Sequence, residues 1–136
     1  MTLTVHGACH CGRIAYEAEV DPSQVRLCHC TDCQVLSGSA WRVSVPSLPG
    51  SLRLLRGAPK AYVKTADSGN RRRHSFCPDC GSPVYASADT DTPAAFTLRV
   101  GALAERAQLP PKSRIWCQSA LDWGMDVSAV PGVAGQ

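Results

Sequence analysis

The chain has no apolar run approaching the roughly 20 residues that a membrane-spanning helix needs, so no membrane partner is expected. Its start, Met1 to His10, lacks a basic segment followed by an apolar one, and no secretory signal peptide is expected. Charge of one sign is also scarce. The formal net charge is only +3, and the single basic run is Arg71-Arg72-Arg73-His74. Nucleic-acid binders carry a stronger basic balance or a basic stripe, so no nucleic-acid partner is expected. Helix signals are few, and no repeat recurs at a solenoid period.

What the chain does have is cysteine. Of eight cysteines, seven fall into three tight groups: Cys9 and Cys11; Cys28, Cys30 and Cys33; Cys77 and Cys80. Spacings of one or two residues let thiolates converge on one ion, whereas a disulfide framework cross-links distant strands. A structural zinc takes four protein ligands, and a catalytic zinc takes three and keeps one position open. Seven thiolates divide into four plus three. A reducing, cytoplasmic location is expected, because it keeps such thiols available for metal.

Around these groups run short alternating stretches bounded by Gly and Pro. Ile14, Tyr16, Ala18 and Val20 alternate with polar or small residues, as do Trp41, Val43 and Val45. Leu52–Leu54, Lys60–Lys64, Pro83–Ser87, Phe96–Val100 and Ser113–Cys117 complete a set of strands and predict a mainly β fold. One short helical turn is expected from Asp32 to Leu36, capped by Thr31 and ended by Gly38, and another over Ala102–Gln108. At this length one domain is expected, spanning residues 1–126. The tail, 127–136, is expected to be flexible.

Cys77-Pro78-Asp79-Cys80-Gly81 reads as a zinc knuckle: Pro78 presets a turn dihedral and Gly81 tolerates the conformation after the second ligand. The alternative, a redox CxxC, needs a βαβ context that is missing here. Cys9-His10-Cys11-Gly12 is expected to open a strand, placing both sulfurs on one face and His10 on the other. Paired, the two motifs make a four-cysteine site of Cys9, Cys11, Cys77 and Cys80. Cys28-His29-Cys30-Thr31-Asp32-Cys33 makes a three-cysteine site of Cys28, Cys30 and Cys33. His29 is the rival fourth ligand, although an extended segment would turn it away. Cys117 follows Ile115-Trp116 and is expected to be a small buried hydrophobe, with a remote ligand role as the alternative.

The motifs Gly7-x-Cys9-x-Cys11-Gly12-x-Ile14-x-Tyr16, Cys28-His29-Cys30-x-x-Cys33 and Phe76-Cys77-x-x-Cys80-Gly81, in this order, resemble the glutathione-dependent formaldehyde-activating enzyme family, which also includes centromere protein V. The resemblance runs from about Gly7 to Trp123. It implies an Mss4-like fold of antiparallel sheets organised around two zinc ions, one structural and one on Cys28, Cys30 and Cys33 with an open coordination position. It also implies a carbon–sulfur lyase activity run in the synthetic direction, in which glutathione and formaldehyde give S-hydroxymethylglutathione. Arg114 stands where a His is common in the family, and Asp122 where a Pro is.

Soft thiolate ligands favour another sulfur in an open position, and a coordinated thiol is deprotonated. The three-cysteine site, with Cys28, Cys30 and Cys33 as its catalytic residues, is therefore expected to activate a small thiol such as glutathione. Arg71, Arg72, Arg73 and Arg114 are candidates to bind that thiol's carboxylates, and Asp32 and His29 are candidates to shuttle protons. Two other readings stand beside this one: a non-catalytic zinc module that binds a protein partner, and a redox sensor whose exposed thiolates oxidise and release zinc.

Overall fold

The computed structural model describes all 136 residues. The strands are β1 (Leu3–Ala8), β2 (Ala15–Val20), β3 (Arg26–Cys28), β4 (Arg42–Pro46), β5 (Arg53–Arg56), β6 (Lys60–Thr65), β7 (Arg71–Phe76), β8 (Pro83–Ala88), β9 (Thr97–Arg99) and β10 (Ser113–Ile115), with one α-helix, α1 (Thr31–Ser37). They form a three-stranded sheet in the order β1-β2-β5 and a seven-stranded sheet in the order β10-β3-β4-β9-β8-β7-β6. All pairings are antiparallel except β10 with β3. No helix is long and apolar enough to cross a membrane.

The expected mainly β architecture of antiparallel sheets is present, with differences in detail. Leu3–Ala8, Arg26–Cys28 and Arg71–Phe76 are strands that alternation did not reveal. The helix begins one residue earlier than expected, at Thr31, because Cys30 rather than Thr31 caps it: its Sγ accepts from the Cys33 N–H at 3.3 Å, and Gly38 closes the helix in the left-handed conformation as expected. Ala102–Gln108 holds parts of two 3₁₀ turns (Val100–Ala102 and Arg106–Gln108) rather than a helix.

The core lies between the sheets. Val5, Tyr16, Ala18 and Val20 of the small sheet meet Val45, Val84, Tyr85 and Leu98 of the large one. Tyr16 and Tyr85 touch edge to face across the join, ring centroids 5.4 Å apart.

The other face of the large sheet is polar. Directly opposed residues of neighbouring strands share a face. Cys28 opposes Arg42, and Ser44 opposes Arg99. Thr97 opposes Ala86, Ala86 opposes His74, and His74 opposes Tyr62. Arg72 opposes Lys64 on the same side. This cation-rich face is partly covered by α1, whose Asp32 pairs with Lys64 and whose Leu36 lines a cavity with Tyr62 and His74.

Candidate metal centres and the cleft beside them

Cys9 and Cys11 sit in the turn joining β1 to β2, and Cys77 and Cys80 in the turn joining β7 to β8. The expected strand at Cys9 is thus a turn instead. Gly12 takes φ of 82° there and Gly81 takes φ of 77° in the second turn, a backbone state that only glycine reaches cheaply. The two turns belong to different sheets, so their sulfurs meet where the sheets join. Cys9 Sγ is 3.6 Å from Cys11 Sγ, which is 3.7 Å from Cys77 Sγ. Four sulfurs at about 2.3 Å from a tetrahedral zinc lie about 3.8 Å from one another. The cluster therefore fits a four-thiolate ion, and all four sulfurs fall within 4.8 Å of each other.

Backbone and hydroxyl donors point at these sulfurs. The Ile14 N–H donates to Cys9 Sγ at 3.2 Å. The Ser82 hydroxyl, then the Cys11 and Ser82 N–H groups, bring the Cys80 thiol down to about 5. The Arg13 N–H favours the Cys11 thiolate, but burial and the neighbouring sulfurs outweigh it and push Cys11 up to about 12. Four thiolates side by side repel, and a cation in their midst is what relieves this.

Cys28 ends β3, Cys30 caps α1, and Cys33 lies in the first turn of α1. All three are half-buried, with sulfurs within 4.8 Å of one another. Burial, then the neighbouring Cys28 and Cys30, push Cys33 up to about 12. Burial also works against ionisation of Cys30, but the Cys33 N–H and the adjacent thiols hold it below the ordinary thiol range. Three sulfurs, with no fourth protein ligand among the grouped residues, match the donor set of an open metal site. His29 is not among them. Its ring is fully buried, and neither nitrogen has a hydrogen-bond partner.

Cys117 stands apart from both clusters and is exposed, contrary to the expectation of a buried residue. Trp116 adopts a left-handed backbone (φ 57°, ψ 41°), which ends β10 at Ile115 and turns Cys117 outward.

The arginines divide. Arg72 lies on the same sheet face as Cys28 and donates to Thr97 Oγ1 at 3.2 Å. Arg71 and Arg73 alternate to the other face, where both pair with Asp89, at 2.9 and 2.8 Å. Arg114 is exposed on the edge strand β10. The cations that do face the three-cysteine cluster escaped the sequence analysis. Arg42 opposes Cys28 in register, and its charge interacts with all three sulfurs. Arg99 interacts with Cys33, and Lys64 with Cys30. The only signal was their place on the polar side of an alternating strand.

Beside this face opens a cleft of about 720 Å³, bordered by Arg42, Arg99, Trp41, His6 and Arg106. A cavity of about 220 Å³ adjoins it, and Arg42, Arg99 and Pro83 belong to both walls.

With this geometry in view, the comparisons with known proteins are specific. The model of the family "Glutathione-dependent formaldehyde-activating enzyme" matches residues 4–119. The chain belongs to that family. Its fold is similar to that of a Rhodobacter sphaeroides protein of known crystal structure, with a TM-score of 0.59 and 23% identity over 84% of this chain and 99% of that one. No curated protein matches. Membership accounts for the order of the three cysteine motifs, all of which lie inside the matched span.

Proposed function

We propose that this family member is a two-zinc protein acting as a carbon–sulfur lyase on a thiol adduct such as S-hydroxymethylglutathione, in a reducing, cytoplasmic setting. Cys9, Cys11, Cys77 and Cys80 hold a structural zinc, and Cys28, Cys30 and Cys33 hold one with an open position. The observation that carries the reading is the half-buried three-cysteine cluster on a cationic sheet face whose Arg42, opposite Cys28 in register, also borders a cleft of about 720 Å³, a size typical of small-molecule sites.

When bound there, zinc supplies the charge that keeps a substrate thiol ionised near neutral pH. The protein's own residues do the rest. Arg42 and Lys64 offset the negative charge gathered on three thiolates. Cys30 Sγ is fixed by the Cys33 N–H, so the cluster is preorganised by the first turn of α1. Arg72 is the member of the basic run that we assign to this face, since Arg71 and Arg73 are engaged by Asp89. In the synthetic direction the thiol sulfur forms a bond to the formaldehyde carbon, and the thiol proton ends on the new hydroxyl. The lyase direction reverses both changes.

The test combines metal counting with rate. Native mass spectrometry is expected to find two zincs in the wild type and one in Cys30→Ser, with a glutathione complex in the wild type only. Because this adduct also forms without a catalyst, the rate of its formation and decay must exceed that of a protein-free control and fall to it in Cys30→Ser. Two zincs with neither thiol complex nor rate effect would instead assign the open face to a protein partner.

A further inference from the structure

Two largely buried arginines in the wall between the cleft and the smaller cavity have no carboxylate counter-ion. Arg42 is 6% exposed and Arg99 is 9% exposed. Neither takes part in any ion pair of the protein. Arg99 donates to the Ser44 hydroxyl at 3.2 Å and to His74 Nδ1 at 3.2 Å, both neutral acceptors. Arg42 donates to no protein acceptor at all, and it borders both cavities. A buried charge without a counter-ion is costly, and most of that cost is recovered only when an anion arrives.

The thiolates do not fully supply that anion. A zinc on Cys28, Cys30 and Cys33 leaves about one net negative charge. Against it stand the Arg42 and Arg99 guanidiniums, with Arg72 on the same face. Lys64 is already matched by Asp32. Positive charge therefore remains in excess after the metal centre is complete. It is presented as planar N–H forks, the geometry that receives a carboxylate through two parallel hydrogen bonds.

We propose that Arg42 and Arg99 form a carboxylate-binding pair in this shared wall, and that the thiol ligand of the protein is selected for a carboxylate placed there. The arginine pair is read from burial, missing counter-ions and the excess of positive charge on this face. The link to a thiol rests on the function proposed above. His74 acts as a positioning residue, its Nδ1 holding the Arg99 fork toward the cavity wall.

Calorimetry on the zinc-loaded protein tests this with four probes: 3-mercaptopropionate (thiol and carboxylate), 2-mercaptoethanol (thiol only), glutarate (carboxylates only) and inorganic phosphate. The wild type is expected to bind mercaptopropionate about tenfold or more tighter than mercaptoethanol, the scale of one charge-assisted bidentate contact. Arg42→Gln is expected to abolish that preference: loss of its charge beside the thiolates weakens both thiols alike, so the ratio of the two affinities, measured at equal zinc loading, is the readout. Arg42→Lys is expected to restore only part of it. Arg71→Gln, which removes the same charge from the opposite face, is expected to leave it intact. Equal binding of the two thiols by the wild type overturns the proposal without any variant having to fold. So does a preference that survives in Arg42→Gln, or phosphate binding tighter than glutarate. If no thiol binds but glutarate does, and Arg42→Gln loses it, the carboxylate pair stands and the thiol reading fails.

Discussion

Arg99 Nη2 lies 3.2 Å from His74 Nδ1, so the guanidinium donates and the neutral imidazole nitrogen accepts a hydrogen bond. Burial first, then Arg99, Arg42, Arg72 and Lys64, press the His74 pKa from 6.5 down to about 4. A histidine with a lowered folded pKa binds fewer protons in the native than in the unfolded state between those values. Stability contributed by its neutral form is thus complete above about pH 6.5 and declines as pH falls toward 4. The melting temperature of the wild type is expected to fall more steeply from pH 7 to pH 4.5 than that of His74→Gln. Metal loss at low pH affects both proteins, so the difference between the curves isolates His74. Parallel curves would show that His74 is protonated in the native state at no cost.

This contact also shows where sequence reading stops. The alternation of Val43 and Val45 identifies β4, and the three cysteine groups identify both metal clusters before any coordinate is known. Yet alternation says only that Arg42 and Ser44 face away from the core. That they are buried as well depends on α1, on the walls of the cleft and on β9, all distant in the chain. The run Arg71–Arg73 looks uniform as text, but β7 is an interior strand between β6 and β8, and pleating sends Arg72 to one face and its neighbours to the other. The short strand β3 carries too few residues for a periodic signal, although it delivers Cys28.

Thiol counting follows from the exposure of Cys117. It is outside both clusters, and metal bound at them would protect the other seven cysteines. A colorimetric thiol reagent is expected to modify one thiol rapidly in the metal-loaded protein and none in Cys117→Ser, with all eight of the wild type reacting after chelation and unfolding. Four rapid thiols in the loaded wild type would mean that the three-cysteine cluster holds no ion. Cys117→Ser itself is expected to change stability by less than about 0.5 kcal/mol, as an exposed substitution should.

Besides the two ring nitrogens of His29, one buried polar atom has no partner, and it lies in the core between the sheets. Tyr16 is fully buried, and its hydroxyl has no hydrogen-bond partner. Tyr16→Phe keeps the edge-to-face contact with Tyr85 and removes the unpaired group, so it is expected to raise stability by about 1 kcal/mol. The neighbouring Gly7 is the opposite case. A Cβ there would lie 2.1 Å from Tyr16 Cζ, and Gly7→Ala is expected to cost at least about 1–3 kcal/mol through overpacking. Denaturant unfolding of both variants checks the pair, and a destabilised Tyr16→Phe would mean that the hydroxyl has a partner, such as ordered water.

The chain's end offers a last test. Gly124 is buried, and its carbonyl accepts from Trp41 Nε1 at 2.7 Å, which ties this segment to the start of β4 beside the cleft. Residues 127–136 are exposed throughout, including Val127, Val130 and Val133, and Ser128 reaches back only to Asp126. Backbone that buries nothing contributes little to stability. Ending the chain at Asp126 is therefore expected to leave the denaturation midpoint, zinc content and thiol binding unchanged, within about 0.5 kcal/mol in stability. Ending it at Leu121 deletes the Gly124 acceptor and exposes Trp41 and is expected to destabilise the protein by about 1–3 kcal/mol. The two truncations together place the domain boundary. Equal losses in both would mean that the tail, despite its exposure, contributes to the folded unit.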